Sequence, residues 1–472
     1  MNNDSSDRIA TALRNWIRDA PAGAQLPSSR TLVSEYAASP VTVQKALRRL
    51  AAEGLVESRP GVGSFVRAVR PSRGADFGWQ TAALRAPRAR LTGVAGPLQV
   101  APPDALALHA GYPPAELLPE RLVRAALGRA ARSSAATDRP PAAGLQELRA
   151  WFAAELADAT PAHLGAVTAA DVVVAPGSQS ALSSIFRALV APGQPLLVES
   201  PTYWGAVQAA QQAGVVPVPV PTGPDGPDPE DLDRAFRETG ARAFYAQANF
   251  ANPTGVQWSA ERADQVLEVV RHHGAFLVDD DWAHDFGIDS AARPVAARDD
   301  AGHVVYLRSL TKSVSPAVRV AAVIARGPAR DRILGDRAAE SMYVSGLLQQ
   351  AAVEVVNDPG WRSHLRRLRV QLRQRRDLLV ESIRTHAPGL ELDVVPPGGL
   401  HLWVRLPAGT DVERLVRECA ARGVWVSGGD EWFPAEPSGP FLRLTFTGPG
   451  PSGYPEAARI IGEVLAAPSA RS

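Results

Sequence analysis

Five short apolar runs, DVVVAPGS, PLLVES, ARAFYAQA, AFLVDDD and HVVYLRS, alternate with stretches of helical character between residues 171 and 309. Each run is apolar almost throughout rather than at every second position, so each strand must be covered on both faces. That is the condition of a parallel sheet held between two helical layers. An α/β fold with a mostly parallel central sheet follows. Ligands of such sheets sit at the carboxyl ends of the strands, so the residues just after each run form the candidate site.

At 472 residues the chain is too long for a single core, since cores stop growing at roughly 250 to 300 residues, and at least two domains are expected. No run of about 18 apolar residues is available to span a bilayer. The opening MNNDSSDRIATALRNW is polar and acidic before it turns amphipathic, unlike a secretory signal, so a cytoplasmic location is expected and no membrane contact. Cys419 is the only cysteine, which excludes an intramolecular disulfide or a thiolate metal cage. It reads as a packing residue, and no metal site is predicted.

Residues 1–73 carry eleven basic and six acidic side chains, a net +5 that leaves −4 for the remainder of a chain whose total is +1. A basic head on a larger body is the charge asymmetry of a nucleic-acid binder. Within the head, Ile9, Leu13, Trp16 and Ile17 make one helical stripe. LPSSRTLVSEYAASPVTVQKALRRLAAEGLV then reads as two short helices. Ser28 or Ser29 caps the first; Ser39, followed by Pro40 at the first helical position, caps the second. Val43, Ala46, Leu47 and Leu50 of that second helix face inward, leaving Thr42, Lys45 and Arg49 on the outward face. LVESRPGVGSFV predicts a glycine-tipped hairpin.

Two helices and a hairpin compose a winged helix-turn-helix, whose second helix enters the major groove of duplex DNA. In order and spacing, LPSSR, TVQKALRRL, EGLVESRPG and GVGSFV resemble the GntR family of regulators. The resemblance implies that Arg30, Thr42, Lys45, Arg49 and the wing glycines Gly61 and Gly63 lie at the DNA, with a solvated helix face as the plainer alternative for any one of them. The family often has arginine where Pro40 stands. The head is thus assigned to residues 1–70. Residues 71–105, rich in Pro, Gly, Ala and Arg, predict a mobile linker with short helical pieces such as GWQTAALRA.

Only two of the 50 basic residues are lysine, Lys45 and Lys312. Drift toward arginine codons accounts for the general scarcity and spares lysine where arginine cannot substitute: an amine loses its proton and forms an imine, a guanidinium does not. Lys312 lies in SLTKSVSPAVR, with Ser309 three residues before it and Arg319 seven after, both good phosphate partners. DVVVAPGSQSAL places Gly177, Ser178 and Gln179 between a strand and a helix, where free N–H groups suit an anion.

With Asn252 in ANPTG, the carboxylates after AFLV and Arg443 in LRLTF, these residues resemble the pyridoxal 5′-phosphate site of fold-type-I aminotransferases over residues 106–466, whose smaller C-terminal subdomain is α+β. The resemblance implies that Lys312 forms the imine with the cofactor and that Asp280 binds its pyridine nitrogen. The register among Asp279, Asp280 and Asp281 stays open by one residue. It further implies that Asn252 bonds the ring oxygen, that Tyr203 stacks on the ring and that Ser178, Gln179, Ser309 and Arg319 hold the phosphate. Arg443 would take a substrate or effector carboxylate. Singly, each has a duller reading: a helix cap for Asp280, core for Tyr203, a surface ion pair for Arg443. Trp282 stands where relatives usually carry a tyrosine; an indole donates but does not accept. Before Gly144 the sequence TDRPPAAG lacks the tyrosine that reaches a partner's phosphate, a contact missing or replaced by Arg139.

A GntR-type head joined to an aminotransferase-like domain is the MocR arrangement. It implies a regulator that senses pyridoxal phosphate or an amino-compound effector, with large domains paired head to tail as a homodimer. The rival is a working transaminase with an accessory DNA-binding head, to which the NPTG segment is favourable and Trp282 unfavourable.

Overall fold

The N-terminal stripe folds into helix α1 (Ser5–Asp19), whose buried face is Ser6, Ile9, Ala10, Leu13 and Ile17. That face leaves Trp16, expected within the stripe, at its edge and 40% exposed. Helix α2 (Ser29–Glu35) is capped by Ser28, whose side chain accepts from the Thr31 N–H. Helix α3 (Pro40–Ala52) is capped in the same way by Ser39, with Pro40 opening the helix. Val43, Ala46, Leu47 and Leu50 of α3 are buried against α1 and Leu32, in a core closed by Val56 and Val66. These last two belong to strands β1 (Val56–Arg59) and β2 (Gly63–Val66), which pair antiparallel. Gly61, at φ +75°, and Gly63, at φ +144°, turn the chain between them. A side chain at Gly63 would also meet the Gln25 amide at 2.6 Å. The winged helix-turn-helix is formed by residues 5–67.

This is a computed structural model, and it describes residues 5–59, 61–67, 96–448 and 450–467. The chain separates into two units, Met1–Pro87 and Arg88–Ser472. Most of the segment read as linker, including GWQTAALRA, lies outside the described residues, whereas residues 96–105 belong to the large unit.

The large unit opens with strand β3 (Leu106–Ala107). Its main sheet is made of β4 (Val172–Ala175), β5 (Pro195–Ser200), β6 (Val216–Gly223), β7 (Gly226–Pro227), β8 (Ala243–Ala246), β9 (Phe276–Asp281), β10 (Val304–Ser309) and β11 (Ala321–Ile324). They lie in the order β4-β11-β10-β9-β8-β5-β6-β7. From β10 across to β6 the strands are parallel, and β11 runs antiparallel between β10 and β4. Each of the five apolar runs is a strand of this sheet, with separate cores on its two faces. Two further strands of the sheet, β6 and β11, were not anticipated. In VPVPVPTG of β6 the prolines cannot donate, a composition tolerated near a sheet edge, where only the two-residue β7 follows. The other, β11, is four residues long and hidden behind the loop that carries Arg319.

The smaller subdomain is built from β12 (His401–Arg405), β13 (Val424–Trp425), β14 (Ser427–Gly428) and β15 (Phe441–Thr445). Strands β12, β15 and β14 form an antiparallel sheet, and β13 takes β3 as a parallel partner. Helices Pro359–His386, Val412–Ala421 and Tyr454–Ala466 complete it as an α+β layer with its own core, which contains Cys419. Among the described residues no helix is long and apolar enough to cross a membrane.

Leu50 is fully buried in the head core, so Leu50→Ala is expected to cost the head about 2–5 kcal/mol. In thermal melts of the full chain, a transition reported by DNA binding should move down while that of the large unit stays in place. A joint shift of both would contradict two separate cores.

Candidate functional site

The carboxyl ends of β4, β5, β8, β9 and β10 converge on one cavity of the large unit. It is lined by Tyr112, Ser178, Gln179, Tyr203, Gln247, Asn252, Asp280, Trp282, Ser309, Thr311, Lys312 and Arg319. Every residue singled out in the sequence for cofactor contact is on this wall. Tyr112, Gln247 and Thr311 were not singled out. Gln247 directly follows the run AFYA and was visible to the strand-end rule; Tyr112 lies in a loop with no periodic signal.

Alternation along β9 resolves the three consecutive aspartates, since neighbouring side chains of a strand leave on opposite faces. Asp280 lines the cavity. Asp279 turns away and accepts the Val295 N–H at 2.9 Å; Asp281 turns away as well and accepts the Tyr306 hydroxyl at 2.7 Å, beside His284. On Asp280, Oδ2 accepts from the Tyr245 hydroxyl (2.8 Å) and the Gln247 amide (2.9 Å), while the buried Oδ1 has no partner. Gln247 also accepts the Asn252 N–H at 2.8 Å, so one amide ties Asp280 to the Asn252 loop. Burial lifts the Asp280 carboxyl to about 6 against those two donors.

Lys312 follows β10 by three residues. Its Nζ stands 4.0 Å from the centre of the Trp282 ring and 5.6 Å from that of Tyr112. Burial, and then the positive charge of Arg443, lower its ammonium to about 7. Trp282 in turn stacks on His401, with ring centres 5.8 Å apart, and its indole N–H is buried without an acceptor.

At the opposite end of the cavity, Gly177 at φ +92° turns β4 into the helix Ser178–Leu189. A Cβ on Gly177 would stand 3.0 Å from an Arg319 nitrogen and 3.5 Å from the Thr311 hydroxyl, which has no partner. Arg319 itself adopts φ +47° and donates to the Pro176 carbonyl at 3.2 Å. Strained backbone of this kind concentrates at binding sites. Tyr203 donates its hydroxyl to Gln179 at 3.0 Å.

Arg443, on β15, is 1% exposed. It donates to the His109 carbonyl (2.6 Å) and the Asn252 side chain (3.2 Å), lies 3.3 Å from His401 Nε2 and covers the Trp432 ring at 4.8 Å. None of these is a carboxylate, and burial brings its guanidinium down to about 10. Arg443 is not on the cavity wall itself but reaches it through Asn252.

In the head, Arg30 and Lys45 are exposed and Thr42 is half-buried at the start of α3. Arg49 is exposed on the expected outward face, where it also pairs with Asp7 and, at 3.3 Å, with Glu53. Glu53 also grips Arg14 of α1 with both oxygens. Arg49 therefore fastens α3 to α1. The i, i+7 spacing could not reveal this, because the acids come from other turns. Arg139 is exposed.

Residues 104–461 match the family described as aminotransferase class I and II. The chain belongs to that family. Residues 5–66 match bacterial regulatory proteins of the gntR family, so the whole has the MocR-type arrangement. It is 24% identical over 437 residues to the uncharacterized HTH-type transcriptional regulator YdfD of Bacillus subtilis, covering 90% of this chain and 88% of that protein. It is 28% identical to the probable rhizopine catabolism regulatory protein MocR of Rhizobium meliloti, covering 85% and 81%. Among solved structures, the α-aminoadipate aminotransferase LysN of Thermus thermophilus, complexed with N-(5′-phosphopyridoxyl)-L-leucine, superposes with a TM-score of 0.71 at 26% identity. That match spans 77% of this chain and 92% of LysN.

Family membership implies pyridoxal 5′-phosphate, and the cavity fits it. An unpartnered buried carboxylate oxygen on Asp280 awaits a cationic N–H, and the Gly177 turn leaves room beside Arg319, Thr311 and a helix N-terminus for an anion. Lys312 lines the same cavity.

The lowered Lys312 sets a pH dependence. An amine attacks only when deprotonated, so attachment of the cofactor should rise with pH and level off above about 7, not near the usual lysine value of ~10.4. Arg443→Leu removes the nearby positive charge and should move the midpoint upward. Stopped-flow absorbance of apo protein mixed with pyridoxal phosphate at a series of pH values reads both.

Proposed function

We propose that the chain is a DNA-binding transcription regulator that carries pyridoxal 5′-phosphate and responds to it or to an amino-compound effector. The observation that carries this reading is the union, in one chain, of a basic winged helix-turn-helix with a cavity that gathers a buried lysine, an unpartnered carboxylate and an anion cradle. The reading places the chain in the cytoplasm and pairs the large domains as a head-to-tail homodimer.

When bound, the cofactor supplies an electron sink for the bonds at an amine-bearing carbon. The chain's own residues bind and aim it. Lys312 would carry it covalently. Asp280, held in register by Tyr245 and Gln247, would keep a proton on the pyridine nitrogen, because a carboxylate beside that nitrogen favours its charged form. Asn252 would address the ring oxygen, and Tyr203 the ring face. Ser178, Gln179, Ser309, Thr311 and Arg319 would hold the phosphate. Arg443 would receive the carboxylate of an effector in a forked pair of hydrogen bonds.

Turnover needs repeated proton transfers around the ring. Trp282 supplies no hydroxyl for them: it lies beneath Lys312 and against His401. A sensor requires less, only a ligand with different affinity for two states of the protein. In the head, Arg30, Thr42, Lys45 and the wing at Gly61 and Gly63 would meet DNA, with Arg49 holding α3 in place.

Lys312→Ala should lose the visible absorption of the lysine-bound cofactor and its trapping by borohydride. Lys45, the other lysine, is then the control: trapping that persists in Lys312→Ala assigns the attachment elsewhere.

On duplexes selected from a random library, binding should fall steeply with salt. Lys45→Ala should lower the slope of log affinity against log salt by about one. Arg49→Ala should act chiefly on the melting of the head. Amines should change the affinity for DNA while keto-acid release stays near one equivalent. Many equivalents of keto acid from a common amino acid, with DNA binding indifferent to amines and cofactor, would establish the transaminase instead.

A further inference from the structure

The donors of Arg443 that are engaged all go to uncharged groups, and two of its neighbours lead to the point where the described large unit begins. The His109 carbonyl accepts Arg443 Nη2 at 2.6 Å and also the Ser427 hydroxyl at 3.3 Å. The side chain of the same His109 bonds the Gln99 carbonyl through Nε2 at 2.8 Å. The imidazole is buried and pushed toward its neutral form, so Nε2 is the donor in that bond.

The second neighbour is Glu431. Burial raises its carboxyl to about 7 against the charge of Arg443 and the backbone N–H of Gly96, which favour the ionised, accepting form; a Cβ on Gly96 would stand 3.3 Å from Oε1. The short turn Gly96–Leu98 is therefore fastened at Gly96 by Glu431 and at Gln99 by His109. Both fasteners also address Arg443, one through a hydrogen bond and one through charge. In sequence, Gly96 follows directly on the segment that leads back to the DNA-binding head.

Resting on the reading of Arg443 as the effector's carboxylate anchor, we propose that His109 and Glu431 are positioning residues that couple occupancy of Arg443 to the hold on Gly96–Gln99. A carboxylate arriving at the guanidinium competes with the His109 carbonyl for Nη2, because a charge-assisted pair is roughly twice as strong as a neutral one. It also offsets the positive charge that opposes burial at Glu431, and so favours the protonated carboxyl over the one that accepts from Gly96. Both fasteners loosen together, and the turn Gly96–Gln99 is released by a ligand that never touches it.

The test is amide hydrogen exchange of Gly96 and Gln99 in the full chain loaded with pyridoxal phosphate. Sodium propionate, a carboxylate with no amine to react, is compared with sodium chloride at equal ionic strength. Exchange at these amides should rise at least threefold with propionate in the native chain. In Arg443→Leu it should be high already and indifferent to propionate. His109→Phe should raise exchange at Gln99, and His109→Gln, which keeps a side-chain N–H donor, should restore it; a merely space-filling role would not distinguish the two. Unchanged exchange in Arg443→Leu, or equal effects of Phe and Gln at position 109, overturns the coupling. The visible absorption and DNA binding of the same preparations report the parent reading separately. If both are normal while exchange is unmoved, the coupling alone fails. If either is missing in the native chain, the parent reading fails, whatever the exchange shows.

Discussion

Lys312 and Asp280 line one cavity, Arg443 reaches its wall through Asn252, and among the described residues none of the three has an oppositely charged side chain within ion-pair distance. Leaving such groups unpaired in a low-dielectric site is expensive, several kcal/mol per charge before relaxation. The direction of each shift shows the protein carrying that cost: the lysine and arginine move down and the aspartate up. A fold tolerates this only if the backbone around it is over-determined. Here the determinants are the cores on the two faces of the sheet, which fix five strand ends independently of the cavity they enclose. A ligand with a cationic nitrogen for Asp280, an aldehyde for Lys312 and a carboxylate for Arg443 would relieve all three groups at once.

Much of this was legible in the chain because the same apolar runs that define the sheet also end at the site. PLLVES and AFLVDDD each finish on the residues that precede or form the cavity wall. The near absence of lysine isolated Lys312 before any fold was considered. What the residues alone left open was decided by geometry of the second kind, between elements distant in sequence. The aspartate triplet needed the facing of β9, and Arg49 needed Asp7, 42 positions away. Arg443 needed His109, 334 positions away. Periodicity reports which side of an element is buried; it carries nothing about which foreign group waits there.

The head shows the same limit in small. Its inward residues Val43, Ala46, Leu47 and Leu50 were readable because an apolar stripe has one use. Its outward residues were not equally readable, because a cation on a surface has two. Arg14 and Arg49 both bond Glu53, and Arg49 also bonds Asp7 while its side chain stays exposed. A basic count of eleven therefore does not by itself measure the charge available to a phosphate backbone.

Trp282 is the residue on which the two kinds of reading meet. From sequence it is a departure, an indole where a phenol is customary. In the structure it is a flat floor: the Lys312 ammonium rests 4.0 Å from its ring centre, and the His401 ring lies parallel beneath, within 18°. The π face of an indole attracts a cation, so the floor acts with the Asp280 carboxylate to favour the charged lysine, while burial and Arg443 favour the neutral one. Those opposed effects leave Lys312 poised near neutrality rather than committed to either form. A floor of this kind holds the amine in place without entering proton traffic, since its only polar atom points into protein without an acceptor. In the proposed regulator that is the useful property: Trp282 adds no proton relay beside the ring that would hasten conversion of the bound state to product.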